Sequence, residues 1–153
     1  DVYKRQYRSG VGVFQDLVMA GLNVCKVKDI AISVLVTVIG HQPQKGWIIT
    51  DGGWMAMSRD RGTAAQSVDW GYGLVCDETG KPIENLWMKS ANQEHGIVCS
   101  RDGSPIRPED FPIGTRLRIL PNHACPTAAA FDKYFVVDEN NNVQTIWPKI
   151  NNW

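Results

Sequence analysis

Residues 31–39 read Ala-Ile-Ser-Val-Leu-Val-Thr-Val-Ile, a run dense in β-branched side chains that stops before Gly40 and Pro43. Valine, isoleucine and threonine favour extended backbone because their branched side chains pack well on a pleated surface. The run therefore predicts one long strand, buried at least in part on both faces. Gly46–Thr50 follows after a short turn and predicts an antiparallel partner strand, which Asp51-Gly52-Gly53 closes.

Further segments share this short, β-rich character and are separated by glycine, proline, aspartate and asparagine. The predicted strands are 70–76, 83–91, 96–99, 115–120, 134–137 and 143–147, with a shorter apolar piece at 12–14 and tight turns at 77–81 and 138–142. No amphipathic helix of ordinary length is visible, and 17–22 and 127–131 fit only a turn or two of helix. Many short strands at close spacing predict an all-β domain, either a small β-barrel or a sandwich.

The composition excludes some classes of function. The 153 residues have the size of one domain, and 16 basic residues balance 16 acidic ones. A formal net charge of zero indicates no basic surface for nucleic acid or anionic lipid. No apolar run reaches the roughly 18 to 20 residues that cross a membrane. The four cysteines lie far apart with no CxxC pair, which favours a reducing, cytoplasmic setting.

The first eight residues add nothing to these patterns. The chain opens on Asp1-Val2-Tyr3, with neither an initiator methionine nor a signal peptide, and so looks like a fragment. We therefore expect residues 1–8 to be a linker or non-native sequence, and residues 9–153 to form the domain.

A histidine and a cysteine stand two positions apart near the end of the chain, as His123-Ala124-Cys125 between Pro121 and Pro126. In extended backbone, residues i and i+2 point to the same side, and Pro126 favours that geometry at Cys125. Imidazole and thiolate together suit zinc best. Two ligands are too few for a closed structural site, so the pair predicts an open metal position. The alternative is a cysteine that only packs in the core.

Six motifs in order along the chain carry a wider resemblance. They are Gly10-x-x-x-Phe14-x-Asp16, the strand at 31–40, Asp51-Gly52-Gly53, Ala56-x-Ser58-x-Asp60, Glu94-His95-Gly96, and Pro-Asn-His-Ala-Cys-Pro-Thr at 121–127. Together they resemble the C-terminal domain of the D-threonine aldolase and D-serine dehydratase family, pyridoxal-phosphate enzymes of the alanine-racemase fold. The last two motifs are the most specific, and the resemblance covers about residues 9–148.

The resemblance implies a protein larger than this chain. Family members have an N-terminal α/β barrel that carries the Schiff-base lysine and the phosphate site. Their C-terminal β-domain completes the active site, usually within a homodimer. This chain is similar only to the second part, since none of its lysines has the context of a cofactor lysine and no glycine-rich loop opens a helix. The implied partners are the N-terminal barrel and a small D-amino acid, and this chain alone is expected to be inactive.

The resemblance also implies that His123 and Cys125 bind zinc, or manganese in its place. The metal would serve either of two reactions: dehydration to a 2-oxo acid and ammonia, or retro-aldol cleavage to glycine and an aldehyde. Dehydratase-type members carry His-x-Cys, whereas well-known aldolase members carry aspartate in place of the cysteine. Cys125 therefore favours dehydration of D-serine or a related D-β-hydroxy amino acid.

Other polar residues have a structural and a functional interpretation. His95 could orient a metal ligand or contact the substrate, or it could be a hydrogen-bonded turn residue. His41 is expected in a solvent-facing hairpin connection, and Asp51 is expected to cap a turn. Thr127 is expected to buttress the segment around Cys125 or to cap its turn. Core thiols are predicted at Cys25, Cys76 and Cys99.

Two non-catalytic functions remain open on the sequence. A small barrel with aromatic side chains could be a binding domain of the oligonucleotide-binding type. Against this, Arg101, Arg107 and Arg116 are interleaved with acidic residues, so no basic groove is predicted. The chain could also be a dimerisation domain in which Cys125 only packs.

Overall fold

A computed structural model describes residues 9–150. The strands are β1 Val34–Gln42, β2 Trp47–Thr50, β3 Gly73–Cys76, β4 Pro82–Ala91, β5 Gly96–Ser100, β6 Arg116–Pro121, β7 Lys133–Val137 and β8 Val143–Pro148. The helices are α1 Leu17–Gly21, α2 Trp54–Met57 and α3 Ala124–Ala129. Within this part of the chain, no helix has the length and apolar character that crossing a membrane requires.

β1 to β6 close into a barrel in the order β1-β2-β5-β4-β3-β6. All neighbouring strands are antiparallel. The ring is completed between β1 and β6, where Val34 lies opposite Ile119 and Thr37 opposite Arg116. Closure removes the unpaired strand edges that an open sheet would expose. The prediction of an all-β domain with a small barrel is therefore confirmed.

The core follows the alternation of β1. Val34, Val36 and Val38 point inward and are at most 7% exposed, whereas Leu35 and Ile39 are 48% and 42% exposed. The prediction that this strand is buried on both faces is wrong, because only one face of such a barrel strand points to the interior. The other strands complete the core with Ile48, Val75, Met88, Val98, Leu117 and Ile119. Each such buried side chain stabilises the fold by about 1.5–3 kcal/mol.

The predicted limits of β1 need correction. The strand begins at Val34 and continues through Gly40, which was expected to end it. An irregularity in the pairing with β2, between Val38 and Gly40, accommodates the glycine within the strand. His41 consequently lies in β1 opposite Ile48, and not in the hairpin connection. Its Nε2 is 2.7 Å from the Phe111 carbonyl oxygen.

The strand connections divide between the two ends of the barrel because the strands alternate in direction. One end, called here the helical end, carries a 3-10 turn at Gly10–Val13, then α1, α2, the β4–β5 turn and α3. The short apolar piece at 12–14 lies in and after this turn and is not a strand. The opposite end carries the connections at 43–46, 77–81 and 101–115. Outside β1, the motifs of the family resemblance all lie at the helical end.

Gly96 shows why one of those motifs contains glycine. It begins β5 and lies opposite Thr50, the last residue of β2. A Cβ atom on Gly96 would lie 2.6 Å from the Gly52 carbonyl oxygen, closer than side-chain carbons approach. The missing side chain lets β2 and β5 meet tightly at the helical end.

β7 and β8 form a separate two-stranded hairpin. Its turn is bonded to the barrel by Arg118 of β6, whose guanidinium donates to the Asn141 side chain at 3.1 Å. Beyond β8, the Lys149 ammonium donates to the Ala128 carbonyl in the last turn of α3 at 2.6 Å. A cation at that position also complements the helix dipole, so the hairpin supports the helix that contains Cys125.

Candidate metal centre

The His-x-Cys pair lies where β6 ends and α3 begins. His123 precedes the helix and has extended backbone (φ −136°, ψ 108°), whereas Cys125 lies in the first helical turn. The prediction of extended backbone at Cys125 is therefore wrong, and the helical turn expected at 127–131 begins earlier. Pro126 is compatible with this because N–H groups in the first turn have no intrahelical acceptor, so proline sacrifices no hydrogen bond there.

Asp16 fixes the start of α3 from a distant part of the chain. Its side chain is 1% exposed. One carboxylate oxygen accepts a hydrogen bond from the Met19 backbone N at 2.9 Å and so caps α1. The other accepts from the Ala124 backbone N at 2.9 Å, across 108 residues of sequence. The carboxylate thus satisfies N–H donors at two helix starts and holds the backbone between His123 and Cys125.

A loop at 57–63, called here the site loop, is bonded to the segment 122–127. Three contacts join them: Thr127 with the Met57 carbonyl, Asp60 with the His123 ring, and Thr63 with the Asn122 side chain. The Thr127 hydroxyl also lies 3.0 Å from the His123 carbonyl, in keeping with the buttressing role expected of it. The two segments therefore form one hydrogen-bonded unit.

Asn122 anchors this unit in the interior. It is 3% exposed, and its amide nitrogen donates to the Gly71 carbonyl while its side-chain oxygen accepts from Thr63. Its own carbonyl accepts from the Val18 backbone N of α1 at 3.3 Å. Buried polar groups are normally satisfied in this way, and the result is a fixed backbone immediately before His123.

The His123 ring is oriented by a carboxylate. Its Nδ1 lies 2.6 Å from Asp60 Oδ2, and the two side chains are 43% and 54% exposed. A carboxylate oxygen accepts hydrogen bonds, so the proton belongs on Nδ1 and the lone pair of a neutral ring belongs on Nε2. Within residues 9–150, Nε2 has no hydrogen-bond partner.

A cleft of about 350 Å³ opens beside His123. Its apolar wall comes from Val11, Val18 and Met19, and its polar wall includes Asp60, Arg61 and His123. The Arg61 guanidinium is paired with Asp69 at 2.8 Å. The volume suits a small metabolite, and the cleft lies at the helical end.

The side chains of His123 and Cys125 are of types that zinc binds. In the described part of the chain, no group of three or more His, Cys, Asp or Glu side chains is placed to hold a metal ion. His123 and Cys125 offer one imidazole and one thiol, and Asp60 already bonds the imidazole. That donor chemistry suits zinc, and a carboxylate behind the histidine is the usual arrangement in zinc sites.

Pyridoxal phosphate does not fit the described residues in the same way. A Schiff-base lysine needs a sheltered amine, and every lysine between 9 and 150 is exposed except Lys149. Lys149 is bonded to the Ala128 carbonyl. The Schiff-base lysine for this cofactor would therefore have to come from outside residues 9–150.

His95 and Asp51 lie at the helical end. His95 is exposed in the β4–β5 turn, where its carbonyl accepts from the Asn92 backbone N at 2.8 Å. No hydrogen bond to its ring is found among residues 9–150, so its role beside the metal site stays a prediction. Asp51 Oδ1 accepts from the Thr37 backbone N of β1 at 2.7 Å, so this contact joins the residue to the neighbouring strand and is not the expected turn cap.

The cysteines differ in environment. Cys76 and Cys99 are 0% and 7% exposed, which confirms them as core thiols, whereas Cys25 is only partly buried. Burial raises the pKa of the Cys76 thiol to about 12 and also raises the pKa of Cys99. Cys125 is exposed and does not pack in the core of the described residues.

We expect iodoacetamide at pH 8 to label Cys125 in the folded protein and to leave Cys76 unmodified. A thiol with a pKa of about 12 is ionised in only about one molecule in ten thousand at that pH, and only the thiolate reacts. Peptide mapping by mass spectrometry measures the labelling, with a guanidinium-unfolded sample as the control in which both react. Equal labelling rates in the folded protein would contradict the burial of Cys76.

The sequence did not reveal several residues that build this site. Asp60 was part of a recognised motif but had no assigned role, and the functions of Asp16, Thr63 and Asn122 were not foreseen. The hydrogen bonds that join Asp16, Asp60 and Thr63 to residues 122–124 span 59 to 108 residues of sequence. The available signal was that Asp16, Asp60 and Asn122 each belong to one of the motifs that carry the family resemblance.

Known proteins are similar to this chain over most of its length. The family described as "Putative serine dehydratase domain" matches residues 31–137. D-threo-3-hydroxyaspartate dehydratase of Delftia sp. (strain HT23) is 53% identical over 150 residues, which are 97% of this chain and 39% of the relative. D-serine dehydratase of Dictyostelium discoideum is 32% identical over 143 residues, 92% of this chain and 35% of the relative. The chain thus spans less than two fifths of the length of these relatives.

Several solved structures have the same fold as this chain over most of its length. A Cys→Ala variant of D-threo-3-hydroxyaspartate dehydratase in the metal-free form has a TM-score of 0.88 and 52% identity, over 94% of this chain and 38% of that chain. A His→Ala variant of an enzyme of that name also has a TM-score of 0.88, and the two substituted positions are two residues apart. An alanine-racemase-like protein from Idiomarina loihiensis has a TM-score of 0.85 and 46% identity, over 94% of this chain and 38% of that chain.

The family match covers most of the chain, the barrel superposes on alanine-racemase-like structures, and the predicted resemblance is confirmed. The chain belongs to the serine dehydratase domain family.

Proposed function

We propose that this chain is the C-terminal, metal-binding part of a dehydratase that converts a D-β-hydroxy amino acid into a 2-oxo acid and ammonia. The observation that supports this most is His123, which lines a cleft with its Nε2 free of partners among residues 9–150, while Cys125 lies two positions further on and is exposed. The related D-threo-3-hydroxyaspartate dehydratase has been studied as His→Ala and Cys→Ala variants with the same two-residue spacing. The Cys→Ala variant is the metal-free form.

The described residues would hold the metal and shape its surroundings. His123 Nε2 and the Cys125 thiolate are the proposed ligands, with zinc the better fit and manganese the alternative. When bound, the metal supplies a Lewis acid toward the hydroxyl of the substrate, and pyridoxal phosphate supplies the electron sink. Asp16, Asn122 and Thr127 keep the ligand-bearing backbone fixed, so little reorganisation is needed on binding.

The remaining parts of the active site would come from outside the described residues. Pyridoxal phosphate would be held mainly by an N-terminal α/β barrel, in keeping with the share of the relatives that this chain does not span. A homodimer would bring such domains together at the helical end. The apolar wall of the cleft, formed by Val11, Val18 and Met19, would exclude water from the reacting group.

The substrate is proposed to be a small D-amino acid with a hydroxyl on Cβ. Identity is higher to the relative named for D-threo-3-hydroxyaspartate, at 53%, than to the one named for D-serine, at 32%. We therefore rank D-threo-3-hydroxyaspartate above D-serine. Both substrates share the bonds that break, Cα–H and Cβ–O, and differ only in the group on Cβ.

The test is turnover by the native protein that carries this chain. D-threo-3-hydroxyaspartate, D-serine and D-threonine are each incubated with pyridoxal phosphate, with and without a chelator. We expect a 2-oxo acid and ammonia in equal amounts, and a loss of at least tenfold in rate on chelation that zinc restores. D-threonine is included because it separates the two reactions: dehydration gives 2-oxobutyrate, and retro-aldol cleavage gives glycine and acetaldehyde. Glycine and acetaldehyde would overturn the proposed dehydration, and the absence of metal-dependent turnover would overturn the proposal as a whole.

A further inference from the structure

Asp60 sits in a position that the structure specifies in detail. Its backbone N donates to the Ser58 hydroxyl at 2.9 Å, and Ser58 has a left-handed backbone (φ 114°) that turns the chain there. Contacts of the site loop on either side, at Met57 and Thr63, bond it to the segment around His123. The Asp60 carboxylate is therefore held at a fixed distance from the imidazole.

The contact itself adds little to the stability of the fold. Asp60 and His123 are both about half exposed, and ion pairs at such positions are screened by solvent. The hydrogen bond nevertheless selects one nitrogen of the ring as the donor and leaves the other with its lone pair. The hydrogen bond therefore leaves Nε2 as the nitrogen that can accept a hydrogen bond or bind a metal. Nε2 has no hydrogen-bond partner in the described part of the chain.

We propose that Asp60 is a positioning residue that fixes the tautomer and ring direction of His123 and so strengthens divalent-metal binding at Nε2. This inference rests on the proposed metal site. A carboxylate hydrogen-bonded to the far nitrogen leaves the lone pair on the coordinating nitrogen and removes the cost of orienting the ring. Asp60 touches neither the metal nor the substrate in this arrangement, and it acts only through His123.

The experiment measures zinc affinity in the native protein that carries this chain, by competition with a chromophoric chelator. The variants are Asp60→Glu, Asp60→Asn and Asp60→Ala. We expect affinity to fall in that order: slightly for glutamate, about tenfold for asparagine, which keeps an acceptor without the charge, and up to about 100-fold for alanine. Thermal unfolding of the metal-free variants is expected to stay close to that of the unaltered protein, because an exposed pair contributes little to stability.

The matched control is Asp110→Asn, which removes an exposed carboxylate paired with Arg107 in the 101–115 connection at the opposite end of the barrel. It is expected to leave zinc affinity unchanged. Zinc affinity equal to that of the unaltered protein in Asp60→Asn and Asp60→Ala would overturn the inference and leave the proposed metal site standing. Failure of the unaltered protein to bind zinc would overturn both.

Discussion

Replacing His123 or Cys125 by alanine is expected to remove the bound metal and, with it, the dehydration activity. The two side chains are the only proposed ligands, so each substitution deletes half of the protein donors. Altering a residue that merely supports a ligand typically costs 10- to 100-fold in metal affinity or activity, and loss of a ligand is expected to cost at least about 100-fold in kcat/KM. Metal content after dialysis, measured by mass spectrometry, should fall below about one tenth of that in the unaltered protein.

Matched substitutions separate this effect from general damage. Cys25→Ala removes a partly buried cysteine, and His41→Gln removes a histidine in β1 that contacts Phe111. Both variants are expected to retain metal and activity. His123→Ala or Cys125→Ala with full metal content would show that the ligands lie elsewhere, and the proposed site would have to be abandoned.

The second large effect concerns stability. Asp16→Ala is expected to lower the free energy of unfolding by about 1.5–5 kcal/mol, because loss of a helix cap costs about 0.5–2 kcal/mol and a buried unsatisfied N–H costs about 1–3 kcal/mol. Asp16→Asn should cost less, since its single side-chain oxygen can serve one of the two donors. Chemical unfolding measures the change, and hydrogen exchange is expected to increase at Met19 and Ala124, whose N–H groups lose their acceptor.

Asp29→Ala is the control for this prediction. Asp29 accepts from the Lys26 backbone N at 2.8 Å, which resembles the cap that Asp16 provides, but this hydrogen bond is exposed. We expect a cost below about 1 kcal/mol, because water replaces the lost acceptor. Equal destabilisation by Asp16→Ala and Asp29→Ala would mean that the burial of Asp16 has no energetic consequence.

The strands could largely be predicted from local sequence, because side-chain alternation and turn residues act over a few positions. Val34, Val36 and Val38 mark the inward face of β1, and the glycines and asparagines mark the turns. That Gly40 lies within β1 and does not end it could not be predicted in this way. Whether glycine ends a strand or is absorbed within it depends on the partner strand, which local sequence does not identify.

The ligands of the candidate site, His123 and Cys125, stay a prediction that rests on their spacing and on the family resemblance. The extended backbone assumed for them is wrong at Cys125, which lies in the first turn of α3. Proline is a weak guide to backbone conformation when it lies in the first turn of a helix, because it is tolerated there. The helix start depends on Asp16, and that hydrogen bond spans 108 residues, so no local pattern reveals it.

The separation of these contacts along the chain has a consequence for how the protein folds. Asp16 meets Ala124, Asp60 meets His123, and β1 meets β6 only after most of the chain has been made. Such non-local pairings are reached late and slowly, since the entropy of closing a long loop is lost before the contact is gained. The nascent polypeptide therefore cannot organise its His-x-Cys pair until the barrel closes. The proposed metal would then be captured after folding, and it would not serve as the nucleus around which the chain collapses.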